Sequence, residues 1–510
     1  MMPEAPRDVT RMLLMRLCRR AYGWAVLGSA GPLQPERSDS APPPSRLCRS
    51  VPASLLAAAI ALWLLGPFSA SAQRSAASDD PQQHPARRLF ALPWPDADTE
   101  QILQQEYLTG SWRGMRDKLA SLGITPTLTF ATDVLGNPVG GIKQGLRETD
   151  NLGVDVTLDL EQLAKWKGGQ FHLSFSLRSG TSLSTTDVGN VFNVAQLCCN
   201  HTYRLVDVAL EQSLWGDAVN VWAGRIATGD DFLTSALYSN FVQTGINGNP
   251  FGVLLNLPAV TVYPVATWGA RMRVTPVDPL SVSVGVYNND PTLDDNSNHG
   301  VDWSMRGPVF AIAEIAYRLN QGPGATGLPG NYKIGGYYQA GTFPDLFRDV
   351  AGGSAALSGL PPRTQTGNGG FYLLLDQMVY REGEAGSPRG LTPFLSLLFA
   401  PDQNINQMPF FANGGLVYTG LFPGRPHDTA ALGVVYGLFS NQLQRSQRDQ
   451  QKQGIGAGPQ RYELAIELTY SFQVARWLEI QPDLQYVINP GGTGKIRDAL
   501  VIGFQLAINL

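Results

Sequence analysis

The chain has 510 residues, 38 Lys+Arg against 42 Asp+Glu (net charge −4), 43% hydrophobic and only 16% charged content, with 55 Gly, 36 Pro, 10 Trp, 17 Tyr and 21 Phe. Near-neutral charge excludes a protein that meets nucleic-acid phosphate through a basic face, and so much Gly and Pro without helical periodicity excludes a helical bundle. A charge fraction below the roughly 25% of soluble domains fits a membrane β-barrel, in which half of each strand faces lipid and half faces water.

Residues 1–50 are an N-terminal extension to which the sequence gives no role. Positive charge at Arg46 and Arg49, an apolar run from Val51 to Pro67 and Ala70-Ser71-Ala72 then make 51–72 a secretory signal peptide. The run is shorter than the ~20 residues of a spanning helix. Residues 73–106, rich in Pro, Gln, Asp and Ala, read as a flexible periplasmic lead. Within 107–123, Trp112, Met115, Leu119 and Leu122 recur at helical spacing and Gly123 stops the run, which predicts a short amphipathic periplasmic helix. Of the four cysteines, Cys18 and Cys48 precede the expected mature start. Cys198-Cys199 are vicinal, so a strained ring and two free thiols both stay open.

From 124 to 510 the hydrophobic period changes to two. Leu152, Val154, Val156, Leu158 and Leu160 alternate with Gly153, Asp155, Thr157 and Asp159, and Leu500 to Leu510 repeats the pattern. Sixteen such segments begin near 124, 151, 168, 202, 218, 265, 279, 307, 331, 370, 389, 408, 428, 460, 476 and 498. Their connectors alternate in length, with 320–330 a moderately long exception on the short side and 401–407 a short one on the long side. Long ones lie at 136–150, 179–201, 227–264, 289–306, 342–369 and 441–459, and short ones at 161–167, 214–217, 276–278, 383–388, 422–427 and 474–475. Long loops at one end and short turns at the other predict an all-β fold: a 16-stranded antiparallel transmembrane barrel of porin type. Trp166, Trp215, Trp477, Tyr470 and Phe472 fall at or near the short turns, as an interfacial aromatic belt would.

The lumen-facing phase carries acids and bases interspersed, among them Arg178, Asp207, Glu211, Arg271, Glu463 and Glu467. Mixed signs suit a neutral, hydroxyl-rich solute better than an ion, because hydroxyls both donate and accept. The longest loop, 227–264, is the one able to fold inward and narrow an otherwise open bore. It holds Asp230 and Asp231, with Arg225 just before it and Trp268 just after. Aromatic, carboxylate and guanidinium groups together can grip a sugar ring. The constriction residues expected are therefore Arg225, Asp230, Asp231, Trp268, Arg178, Asp207, Glu211 and Arg271; the phase of Trp222 is ambiguous.

Other motifs do not carry chemistry. Gly322 to Gly327 spells a dinucleotide fingerprint but leads into a strand, so no helix N-terminus awaits a pyrophosphate. Gly491 to Lys495 lacks the spacing of a phosphate loop. Five scattered histidines predict no zinc site, and the oxygen-rich 290–298 loop lacks calcium-loop spacing.

Several stretches resemble the carbohydrate-selective porin (OprB) family. They include Leu108-Thr109-Gly110-Ser111-Trp112-Arg113-Gly114-Met115-Arg116, Val221-Trp222-Ala223-Gly224-Arg225, Gly285-Val286-Tyr287-Asn288-Asn289-Asp290-Pro291 and the stretch from Gln481-Pro482-Asp483 to Asn489-Pro490-Gly491-Gly492. The resemblance implies a sixteen-stranded outer-membrane channel passing glucose and related sugars down their gradient through a charged and aromatic eyelet. The long N-terminal extension, the Cys198-Cys199 pair and a terminal Leu510 depart from that pattern. The expectation is passive, sugar-preferring diffusion of mono- and small oligosaccharides into the periplasm by a barrel set in outer-membrane lipid. No cofactor and no enzymatic step are expected, and monomer and homotrimer both stay open. The rival readings are a non-selective general porin and a barrel enzyme built around His172 with Ser174 or Ser176.

Overall fold

The computed structural model describes residues 102–510 apart from 198–200 and 323. The expected extension, signal peptide, most of the lead and the Cys198-Cys199 pair lie outside the described residues.

One antiparallel sheet contains β1 Ile124–Gly141, β2 Leu146–Asp159, β3 Gly169–Gly180, β4 Thr202–Leu214, β5 Val219–Ile226, β6 Thr267–Val277, β7 Leu280–Asn288 and β8 Val309–Leu319. It continues with β9 Gly330–Asp349, β10 Pro362–Gln377, β11 Gly390–Phe399, β12 Phe410–Thr419, β13 Thr429–Leu438, β14 Tyr462–Ala475, β15 Leu478–Ile488 and β16 Arg497–Asn509. Tyr380–Arg381 prolongs β10 along the same neighbour, so the wall has sixteen staves. Each strand pairs with the next, and β1 closes on β16 from Thr129↔Asn509 to Gly141↔Arg497. Closure leaves no strand edge unpaired, as a lipid environment demands. Among the described residues no helix is long and apolar enough to cross a membrane.

The two-residue period decides which side chains meet lipid. On β14, Ile466 and Leu468 are exposed on the outer face, while Glu463 and Glu467, one phase on, are fully covered inside. Two of the expected long connectors are in fact extended hairpins. β1 and β2 run on to a turn at 142–145, and β9 and β10 run on to 350–361. The connector 441–459 contains a helix (Asn441–Lys452), capped by Ser440 Oγ accepting from Gln442 N and Leu443 N. Leu443, packed on the inner core, is its one apolar residue, so no amphipathic stripe announces it.

At the short-turn end, α1 (Met115–Ser121) lies under the barrel. Arg116 sits 3.7 Å over the Tyr107 ring and 4.2 Å over the Trp112 ring, and its Nη2 donates to the Leu510 carbonyl at 2.8 Å. Trp477 departs from its expected place in the aromatic belt. It is buried, with Nε1 donating to the Ile102 carbonyl at 2.8 Å, because the N-terminal segment covers it. Trp166 and Trp215 are exposed at the short turns.

Candidate constriction site

The bore is narrowed by two connectors, 181–197 and 227–266, which leave the β3–β6 side and cross to the opposite wall. They are joined to each other by Gln196 N donating to Val242 O and Thr244 N donating to Asn193 O. On the far wall, Glu467 on β14 accepts from Val242 N at 2.6 Å and from Gln243 N at 3.3 Å. Glu463 accepts from Val191 N and Phe192 N at 2.8 Å and from Gly491 N at 2.7 Å. Asn413 Nδ2 donates to Gly245 O, Gln481 Nε2 to Asn240 O, and Asn256 and Met408 exchange a pair of hydrogen bonds.

Beneath these bonds the loops bury an apolar core inside the barrel. Phe192, Phe232, Phe241, Val242, Ile246 and Val253 pack against inward Tyr337, Tyr372, Phe394, Phe411 and Val435. The inner face of β13 is small where the loops press hardest. A Cβ on Gly433 would stand 2.7 Å from Phe241 and Ile246 side-chain atoms. Burying an aromatic ring in this way is worth a few kcal/mol, so apolar packing and buried acceptors hold the loops in place together.

The opposite wall, β2–β6, keeps its polar side chains. His172 Nε2 and Glu211 Oε2 are 2.8 Å apart, Asn220 Nδ2 donates to Glu211 Oε1 at 2.7 Å, and Arg271 donates to Asn220 Oδ1. Arg271 Nη2 then meets Asp231 Oδ1 at 2.8 Å, and Arg273 Nη2 reaches the same oxygen at 3.4 Å. Trp222 joins this face, edge-on to His172 at 5.1 Å and under the Arg271 guanidinium at 5.4 Å. Cross-strand pairing of Trp222 with Arg271 fixes the phase that the sequence left ambiguous. Asp230, beside Asp231 on the short helix Thr228–Asp231, is exposed to the lumen. Its carboxyl is pushed up to about 8, first because the channel walls hold it away from bulk water, then because Asp207, Asp231 and Asp155 lie nearby.

The structure thus brings Glu211, Arg271 and Asp231 into one network, sets Asp230 at its edge, and places Asp207 near Asp230 and His172. Arg178 stands apart from it, 5.6 Å over the Tyr263 ring and donating from Nε to Asn151 Oδ1 at 3.3 Å. Two expected residues lie elsewhere. Arg225 and Trp268 pair with each other three residues from Trp222↔Arg271 on an unbroken register, so they occupy the opposite, outer phase. Arg225 is fully buried, donating to the Val206 and Asp302 carbonyls, and Trp268 packs on Trp303 at 5.3 Å. Nearness to the loop suggests both; their strand phase is opposite to that of Trp222 and Arg271, and Arg225 lies near Asp207 at the end of β5. His172, Asn220 and Trp222 belong to the site but were not among the expected residues.

Residues 143–510 match the model of the carbohydrate-selective porin, OprB family. The chain belongs to that family. It is 28% identical over 420 residues to Porin B of Pseudomonas aeruginosa, covering 79% of this chain and 90% of that protein. It is 22% identical to a putative porin, QuiX, of Acinetobacter baylyi, covering 79% and 93%. A structure of Pseudomonas putida OprB at high pH superposes with a TM-score of 0.75 at 27% identity, covering 80% of this chain and 99% of that one. This OprB-family barrel is therefore an outer-membrane channel for carbohydrates, with its long loops extracellular and its short turns periplasmic.

Proposed function

We propose that the channel passes small neutral sugars such as glucose passively, through the space between the infolded loops and the β2–β6 wall. The partly exposed His172, Glu211, Asn220 and Trp222, with Asp230, form its recognition surface, and the buried Arg271–Asp231 pair holds them in place. The observation that carries this reading is the alternation of donors and acceptors along that surface. Imidazole, carboxylate and amide follow one another, a pattern that a ring of hydroxyls matches on both counts and a simple ion does not. The indole of Trp222 offers an apolar face on the same side for the CH groups of a pyranose. Permeation needs binding strong enough to replace part of the sugar's hydration and weak enough to release it. This reading involves no covalent step and no cofactor, and the passage is complete within one chain, so a monomer suffices.

Glucose uptake into proteoliposomes tests it. Trp222→Ala and Arg271→Gln should each weaken saturable uptake several-fold, whereas Trp268→Ala, on the outer face, should leave it unchanged. Uptake altered by Trp268→Ala but untouched by the other two would overturn the assignment. Equal uptake of all small neutral solutes by the native chain would favour a general porin.

A further inference from the structure

Outside the pore, the extracellular rim carries a second feature. Five aromatic side chains run across the outer face at one level: Phe371, Phe399, Phe410, Tyr436 and Tyr462, with successive ring centres 5.3, 5.1, 6.3 and 5.9 Å apart. Ten residues further down β14, Phe472 packs on Tyr470 at 4.4 Å near the periplasmic turn. Ten residues at ~3.4 Å each, tilted about 40°, span roughly 26 Å, close to the ~25 Å apolar band of such barrels. The upper row therefore marks the outer headgroup level.

At the end of that row a groove of about 760 Å³ opens, lined by Tyr462, Ile488, Arg461, Lys495, Arg497 and Asp498 among others. Tyr462 and Ile488 are on the outer phase, opposite to Glu463, and form the membrane-side wall of the groove, while Arg461, one residue before Tyr462, enters it from the rim. Three cations meet one carboxylate there, and Asp498 Oδ1 is already held by Asn489 N at 2.8 Å. All three cationic residues are exposed. Among the described residues, none of their side chains has a hydrogen-bonding or ionic partner. Free cations beside an apolar wall at headgroup depth are complementary to an anionic headgroup whose acyl chains lie along the strands.

We propose that this groove is a docking site for a phosphorylated glycolipid of the outer leaflet, its phosphates held by Arg461, Lys495 and Arg497 and its acyl chains lying below Tyr462 and Ile488. Free phosphate shares the headgroup chemistry but not the apolar contact, so the test separates the two. Detergent-solubilised full chain is titrated with lipid A and followed by native mass spectrometry, with and without millimolar inorganic phosphate. Arg461→Gln/Lys495→Gln/Arg497→Gln is compared with a control, Lys165→Gln/Lys167→Gln, on exposed periplasmic-turn lysines, and heat-modifiable gel mobility verifies that each barrel is folded. The expected result is lipid A binding at least tenfold weaker in the triple variant, near-native binding in the control, little competition by phosphate and unchanged pore conductance. Equal binding by the triple variant and the native chain would overturn the site, as would an equal loss in the control. Full competition by inorganic phosphate would overturn the lipid assignment.

Discussion

Replacing Glu467 by Ala removes the carboxyl that accepts from Val242 N and Gln243 N across the bore. Both donors are buried, and a buried donor left without its partner costs about 1–3 kcal/mol. The docked state of loop 227–266 should therefore lose roughly 2–6 kcal/mol, the sum for two such groups. Since each 1.4 kcal/mol is about a factor of ten, the undocked population should rise by about thirty-fold at the least. Phe241 and Ile246 still pack on the wall, so the loop should fluctuate rather than leave. Single-channel currents in planar bilayers report this directly. Glu467→Ala should give larger, noisier conductance and weaker current block by glucose, and Glu467→Gln, which keeps an acceptor oxygen, should lie between it and the native chain. A conductance distribution identical to the native one in the Ala variant would refute the view that these bonds hold the constriction.

Further expectations are equally specific. Arg271 and Asp231 are almost fully buried, and although Arg273 also reaches Asp231 at 3.4 Å, removing one partner leaves the other charge poorly compensated, at a cost of up to about 3–5 kcal/mol. Arg271→Met and Asp231→Leu should each lower the urea midpoint of the refolded barrel more than the double variant does. Gly433→Val places a branched side chain against Phe241 and Ile246, and should raise conductance as Glu467→Ala does while leaving the barrel folded. Asp230, with its carboxyl near 8, is largely protonated at neutral pH and gains a negative charge as pH rises through that value. Cation over anion selectivity from reversal potentials should therefore increase between pH 7 and 9, and Asp230→Asn should flatten that part of the profile. Arg116→Met removes the bond to the Leu510 carbonyl, and limited proteolysis on the periplasmic side should then cut the N-terminal segment several-fold faster.

The barrel was legible because lipid outside and water inside impose alternation wherever a strand has one wet face. β14 shows it, with Glu463 and Glu467 set against Ile466 and Leu468. Legibility fails where the inner face is dry. On β8–β13 the inward Phe310, Ile312, Tyr372, Leu374, Phe394 and Val435 are as apolar as the lipid face, because the loops dock there. No alternation then separates lumen from lipid, and nothing in the loop sequences names their acceptors across the bore. The candidate site was legible in part. Phase and loop position point to Glu211, Arg271, Asp230 and Asp231, which the structure gathers on one side, whereas Arg225 and Trp268, near the loop in sequence, take the other strand phase. The signal for that phase lies in the same strand. Arg271 and Arg273 share the inner phase, and Trp268, three residues from Arg271, must then face outward.

Flux of glucose into proteoliposomes containing only this chain, measured against concentration, tests the account most directly. The account predicts uptake that saturates, exceeds that of a neutral non-sugar solute of equal size, and loses its saturation in Trp222→Ala/Arg271→Gln. A flux rising linearly with concentration, the same for both solutes and for the double variant, would contradict it.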